Sequence, residues 1–321
     1  MLVDKSRIVA ARERIRGHLA VTPLLRSEHF SGRVGANVYF KLETLQPTHS
    51  FKVRGAFNAI SQLSREKRQR GLVTASGGNH GLAVAYAARA LGIPATVYLP
   101  ESATEAKLAP LRRLGPEIVI QGEAWDEANA LAQTVASESA RSYLHPFDDP
   151  EVMAGQATIA AEIAEQMPSA NLIVVSIGGG GLISGVVSGA RHYLPGARVA
   201  GVETEGADSM YRSVAAGRIV ELAAITSIAE TLGARRTGSA QFQIVSRYVS
   251  ELAVVPDAEA IGSLLELLRE EKLLVEPAAS CSVAALTTGK IKVRSGENVV
   301  VVLCGGNVLL DKVLEWSALE R

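Results

Sequence analysis

Short, continuous apolar runs alternate along the chain with longer stretches whose apolar residues recur every three or four positions. The runs 38–42, 72–75, 95–100, 117–120, 172–176, 199–202, 252–255 and 298–303 read as strands. The stretches 8–19, 82–91, 107–114, 125–139, 157–166, 182–193 and 258–272 read as helices. Leu172, Ile173, Val174 and Val175 leave no polar face, so that strand is expected to be buried on both sides. From 70 to 145 strand and helix alternate three times, which predicts a parallel sheet with helices on both faces. His145, Pro146 and Pro150 break the alternation and mark a crossing between lobes. The expected fold class is therefore α/β, with two lobes, each a mainly parallel sheet flanked by helices. Residues 49–145 would form the small, substrate-side domain. Residues 1–48 and 146–321 would form the large domain, the chain before Lys52 completing it.

The totals remove several classes of function. The chain of 321 residues can support two lobes. It carries 33 basic and 33 acidic residues without a long basic run, so no nucleic-acid partner is expected. Cys281 and Cys304 cannot make a disulfide framework and fit a reducing, cytoplasmic compartment. The charges at Asp4, Lys5, Arg7, Arg12, Glu13 and Arg14 precede no apolar signal core. The uncharged run 166–190 is long enough to span a membrane, but it holds Pro168 and six glycines. A buried strand, a glycine turn and a buried helix account for it better, and no membrane partner is expected.

Four unusual loops follow predicted strands: the turn at Lys52, Ser76 to Gly81, glycines 178–181, and Cys304 to Asn307. Ligands of open α/β sheets bind outside the carboxyl ends of strands, so the four loops point to one site. Ser50 is placed to cap a helix in which Phe57, Ile60 and Leu63 share a face. Lys52 then stands in the first helical turn, where unpaired N–H groups disfavour an ammonium. A lysine prepared in this way can form a Schiff base; a solvated surface lysine is the alternative.

Four adjacent glycines after a buried strand suit an anion, because backbone N–H groups at a helix start can approach it closely. A tight strand–helix packing turn is the alternative. The dinucleotide spacing is absent, since Ile183 or Ser184 stands where its third glycine belongs, and Val186 stands where a P-loop needs lysine. Ser76, Gly77, Gly78, Asn79 and His80 offer N–H groups, a hydroxyl and an amide at another helix start. That set suits a carboxylate, or is a glycine-rich turn with a capping Asn.

Thr48, His49, Ser50, Phe51, Lys52, Val53, Arg54, Gly55 and Ala56 together resemble the Schiff-base lysine motif of fold-type II pyridoxal-phosphate enzymes. Within that group the chain is most similar to the threonine/serine dehydratase and serine racemase family. The resemblance runs from Thr22-Pro23-Leu24 to Gly305-Gly306-Asn307, with Gly201-Val202-Glu203 and Glu276-Pro277 in the expected order. It implies pyridoxal 5'-phosphate as cofactor and Lys52 as its Schiff-base partner and the catalytic base at Cα. It implies that Phe51 packs on the ring, Asn79 meets the ring hydroxyl and glycines 178–181 cradle the phosphate. Cys304 stands where the family usually has Ser facing the pyridine nitrogen. Ser76, Gly77, Asn79 and His80 would hold the substrate carboxylate. A tryptophan synthase β-like, two-lobed fold and a homodimer are also implied.

Departures from the family narrow the expectation. The racemases carry a serine as second base where this chain has Gly77, so racemisation should be poor. Ser209 occupies the place of a second metal-binding acid beyond Glu203, and no bound metal is expected. Leu82, Ala157 and the stretch 229–233 also differ, and could alter substrate choice. The chain ends soon after its last motif, so no regulatory domain is expected to follow. The expected activity is loss of water from L-threonine or L-serine, giving a 2-oxo acid and ammonia. Serine racemase, threo-3-hydroxyaspartate dehydratase and a non-catalytic amino-acid-binding protein are the rival readings, with a nucleotide-dependent enzyme behind them.

Overall fold

β-Branched residues fill the strands that lie deepest, and these strands fix where everything else can go. The computed structural model of the chain describes residues 1–319. In chain order its strands are β1 (Leu24–Ser27), β2 (Asn37–Leu42), β3 (Leu72–Ala75), β4 (Ala95–Leu99) and β5 (Glu117–Ile120). Then come β6 (Ser142–Tyr143), β7 (Leu172–Ser176), β8 (Arg198–Thr204), β9 (Glu251–Val255) and β10 (Asn298–Leu303). All five residues of β7 are buried, as a strand without a polar face requires.

Six strands form one sheet in the order β1-β2-β10-β7-β8-β9, and four form another in the order β5-β4-β3-β6. Every pairing is parallel except β1 with β2. The fold class is thus two-lobed α/β with helices packed on the sheets. The chain before Lys52 does join the larger sheet: Asn37 to Leu42 lie beside Asn298 to Leu303. The larger hydrophobic core surrounds the six-stranded sheet, and smaller clusters flank the four-stranded one.

In both sheets the strand order reverses once. The large sheet runs from β7 outward to β8 and β9 on one side and to β10 on the other. The small sheet runs from β3 outward to β4 and β5, with β6 on the other side. Loops diverge at such points and leave a crevice beyond the strand ends. The crevices receive the loops after β7 and β10, and after β3 and β6.

Several elements differ from the sequence expectation. Helices Glu28–Val34, Arg65–Arg70, Ser209–Ala216, Ser239–Tyr248, Pro277–Thr287 and Leu310–Leu319 were not expected, nor was β6. The helix expected at 157 begins at Pro150, where Asp149 caps it by accepting from the N–H groups of Glu151 (2.7 Å) and Val152 (3.2 Å). The helix expected over 258–272 is regular from Asp257 to Glu266, then widens into a π turn, Leu267–Glu271. Ser50 is not the helix cap: it bridges to Gly305, and Phe51 donates its N–H to Cys304 O at 2.9 Å. Pairing with the residues after β10 already holds that backbone, and the buried Ser50 hydroxyl makes no hydrogen bond to the helix start.

Candidate active site

Lys52 opens the helix Lys52–Ser61, whose next eight residues are all buried. Its Nζ donates to Pro146 O at 2.9 Å and lies 5.3 Å from the centre of the Phe51 ring. Burial pulls the lysine down to about 8, while Cys304 and Glu276 act in the opposite sense. The direction matches the sequence expectation; the cause is burial.

Arg54, one helical position beyond Val53, anchors this helix to the large lobe. Its guanidinium donates to Glu43 at 2.7 and 2.9 Å and to Glu162 at 2.6 and 2.8 Å. Lys41 adds a bond to Glu162 at 2.6 Å. All four side chains are buried, and both carboxylates are matched by forked donors.

The four glycines lie between β7 and the helix Gly181–Tyr193. A side chain added there would force a neighbour to move. A Cβ on Gly179 would stand 2.3 Å from the Phe147 ring, one on Gly181 2.8 Å from Phe147 Cβ, and one on Gly178 3.1 Å from Leu232 Cα. Gly180 has φ +93°, the left-handed region, and its Cβ would meet Gln241 at 2.7 Å. Bare backbone at a helix start is a cradle for an anion such as a phosphate.

Opposite the glycines, buried Glu276 gathers donors. Asn79 Nδ2 lies 2.9 and 3.1 Å from its two oxygens, and Thr231 Oγ1 donates to it at 2.9 Å. Burial raises Glu276, and the bonds from Asn79 and Thr231 work against that rise. Asn307 Nδ2 donates to Asn79 Oδ1 at 2.7 Å and to Thr48 O at 2.8 Å. Ser176 Oγ donates to Cys304 Sγ at 3.4 Å, and burial keeps that thiol well above its ordinary range.

One cavity brings Phe51, Lys52, Asn79, glycines 178–181 and Cys304 together. Ser76, Gly77 and His80 are not in its wall, although they share a loop and helix start with Asn79. His80 instead turns Nε2 to Leu144 O at 3.1 Å, and burial pulls it to about 3, so the ring is neutral. The cavity adds Phe147, Ser176, Leu182, Thr231, Leu232, Glu276 and Ala278, which sequence reasoning did not assign to the site. Of these, Glu276 left a signal as a lone acid in the apolar stretch from Leu273 to Ala279, and Thr231 and Leu232 lie in the departing stretch 229–233.

Glu203 lies apart from this wall. Its buried carboxylate accepts from the N–H groups of Met210 (3.0 Å) and Tyr211 (2.6 Å), at the start of the helix Ser209–Ala216. Burial pushes it up to about 8. Ser209 donates its hydroxyl to Ala234 O at 3.1 Å.

An amine that is easily deprotonated, an anion cradle and polar groups between them fit pyridoxal phosphate, which carries an aldehyde, a phosphate and a polar ring. Comparison with known proteins agrees. The family described as pyridoxal-phosphate dependent enzyme matches residues 15–305. An L-threonine ammonia-lyase of Geobacter sulfurreducens is 40% identical over 301 residues, covering 94% of this chain and 75% of that protein. Another from Thermotoga maritima is 38% identical over 310 residues, covering 96% and 77%. The structure of maize serine racemase superposes with a TM-score of 0.94 at 32% identity, covering 100% of this chain and 99% of that one. The chain belongs to the family of pyridoxal-phosphate dependent enzymes.

Proposed function

We propose that this protein removes water from a β-hydroxy amino acid, L-threonine or L-serine, using pyridoxal phosphate. Threonine would yield 2-oxobutanoate and ammonia, the water lost in elimination being returned when the C–N bond is hydrolysed. The observation that carries this reading is Lys52, a partly neutral amine held inside a cavity that faces a glycine cradle. The named activities of the Geobacter and Thermotoga relatives support the substrate class.

Glycines 178–181 would hold the cofactor phosphate, Phe51 would lie against its ring, and Asn79 would meet the ring hydroxyl. Cys304 would face the pyridine nitrogen. A thiol shielded by Ser176 is a weak partner and does not keep a proton there. Bound pyridoxal phosphate supplies an electron sink for the pair left on Cα. Lys52 Nζ would take the Cα proton. Ser76, Gly77, Asn79 and His80 would receive the substrate carboxylate. His80 would do so through its backbone N–H, because its imidazole is neutral and turned to Leu144.

The division into 1–48 with 146–321 and 49–145 is supported by the membership of β1 and β2 in the six-stranded sheet and of β3 to β6 in the other. A cytoplasmic homodimer is the accompanying proposal. Two free, buried cysteines support a reducing compartment. Among the described residues no helix is long and apolar enough to cross a membrane. Sedimentation of the purified protein tests the dimer.

The test of function is release of 2-oxo acid from L-threonine, L-serine, D-serine and threo-3-hydroxyaspartate with pyridoxal phosphate added. Release of 2-oxobutanoate from L-threonine, lost in Lys52→Ala, is expected. Full activity in Lys52→Ala, or no product from any of the four, would contradict the reading.

A further inference from the structure

The short turn Glu230–Leu232 makes three contacts with three consecutive residues, two of them to the site. Glu230 pairs with Lys107 at 2.7 Å, and Lys107 belongs to the helix Glu105–Leu114 of the small-sheet side. Thr231 donates its hydroxyl to Glu276 Oε1 at 2.9 Å. Leu232 lies against Gly178 of the glycine cradle.

The Thr231 bond matters because of what Glu276 does next. Asn79 Nδ2 lies 2.9 and 3.1 Å from the two Glu276 oxygens, so one shared N–H accounts for both contacts. Among the described residues Asn79 Nδ2 donates to Glu276 alone, and Asn79 lines the cavity, so its second N–H is open to a bound group. Asn79 Oδ1 is already taken by Asn307 Nδ2 at 2.7 Å. Flipping the carboxamide would set oxygen against the Glu276 oxygens and nitrogen against the Asn307 amide. The orientation of Asn79 therefore depends on where the Glu276 carboxylate is held; the backbone N–H of Asn307 and the Thr231 hydroxyl both hold it, and Thr231 is the side chain among the two.

Resting on the functional reading above, we propose that Thr231 is a positioning residue: its hydroxyl fixes the Glu276 carboxylate, which fixes the Asn79 carboxamide toward the cofactor ring. Glu230 and Lys107 hold the turn from its outer side. Both are largely exposed, so that ion pair is a guide more than an anchor.

The test compares Thr231→Val, which keeps the shape and loses the hydroxyl, with Thr231→Ser, which keeps the hydroxyl. Each protein is titrated with pyridoxal phosphate by fluorescence, and the absorption bands of the loaded protein are followed with pH. Thr231→Val should bind the cofactor about ten-fold more weakly, the size of the one hydrogen bond a misplaced Asn79 would lose to the ring, with an altered ratio of bands. Thr231→Ser should match wild type in both readouts. Unchanged affinity and bands in Thr231→Val would overturn the proposal. Equal losses in both variants would also overturn it, by assigning the role to the methyl group. Wild-type protein that takes up no pyridoxal phosphate would overturn the functional reading and this proposal with it. A loaded wild type beside an unaltered Thr231→Val overturns the proposal alone.

Discussion

Lys52 donates from Nζ to the carbonyl oxygen of Pro146, 94 positions later in the chain, at 2.9 Å. The bond ties the start of the lysine helix to the segment that follows β6, where the small sheet ends. It gives the amine a single direction, and a carbonyl can accept from either form of the amine, more strongly from the ammonium.

Uptake of the cofactor should report the depressed lysine directly. Only the unprotonated amine attacks an aldehyde. Stopped-flow uptake of pyridoxal phosphate by cofactor-free protein should rise about tenfold per pH unit below about 8 and level off above it. A solvated lysine would keep rising to about 10.4. The same shift has a sign for stability. Between about 8 and the ordinary lysine range the unfolded chain binds the extra proton, so the cofactor-free protein gains stability as pH rises.

Gly179→Ala should damage the cradle with little scope for repair. The new Cβ would stand 2.3 Å from the Phe147 ring, so the ring or the loop must move. Overpacking of this kind costs ~1–3 kcal/mol, about 5- to 150-fold in cofactor affinity if the strain falls on the bound state. Fluorescence titration with pyridoxal phosphate measures it. Unaltered affinity would mean that the glycines serve strand–helix packing alone.

Arg54→Met should lower stability more than most single changes. It leaves Glu43 and Glu162 buried, the first with the Thr22 hydroxyl and the second with Lys41 as its remaining donor among the described residues. Breaking a buried pair in this way costs ~3–5 kcal/mol. Urea unfolding at neutral pH should show a lower midpoint at unchanged slope. An unchanged midpoint would show that the carboxylates find other partners.

The likeness to maize serine racemase makes the stereochemical outcome a sharp test. Inverting Cα needs a proton donor on each face of the substrate. Gly77 has no side chain, and a Cβ there would meet Leu99 Cδ2 at 2.7 Å. Chiral chromatography of L-serine recovered after partial turnover should therefore show L-serine and pyruvate. Substantial D-serine would contradict this role of Gly77.

What the sequence made legible follows from where its signals are local. β7 and β10 were readable to the residue because a strand buried on both faces is a bare apolar run. The helix Pro277–Thr287 was missed because Pro277 to Leu286 are all buried, so no face carries a polar contrast. Lys52, Asn79, glycines 178–181 and Cys304 were singled out because each lies in a loop or helix start that follows a strand. Phe147 was not singled out, and Thr231 and Leu232 showed only as part of the departing stretch 229–233, because these residues reach the cavity through the packing of loops distant in sequence. Ser50 looked like a cap by composition, but a bridge to Gly305 settles that backbone.

Lys52 is the centre of the account, and reductive trapping tests it most directly. The protein loaded with pyridoxal phosphate is treated with borohydride, digested, and its peptides are mapped by mass. The account predicts loss of the yellow colour and a phosphopyridoxyl group on the peptide that carries Lys52, absent from Lys52→Ala. A label on another lysine, or no label on a cofactor-loaded protein, would contradict it.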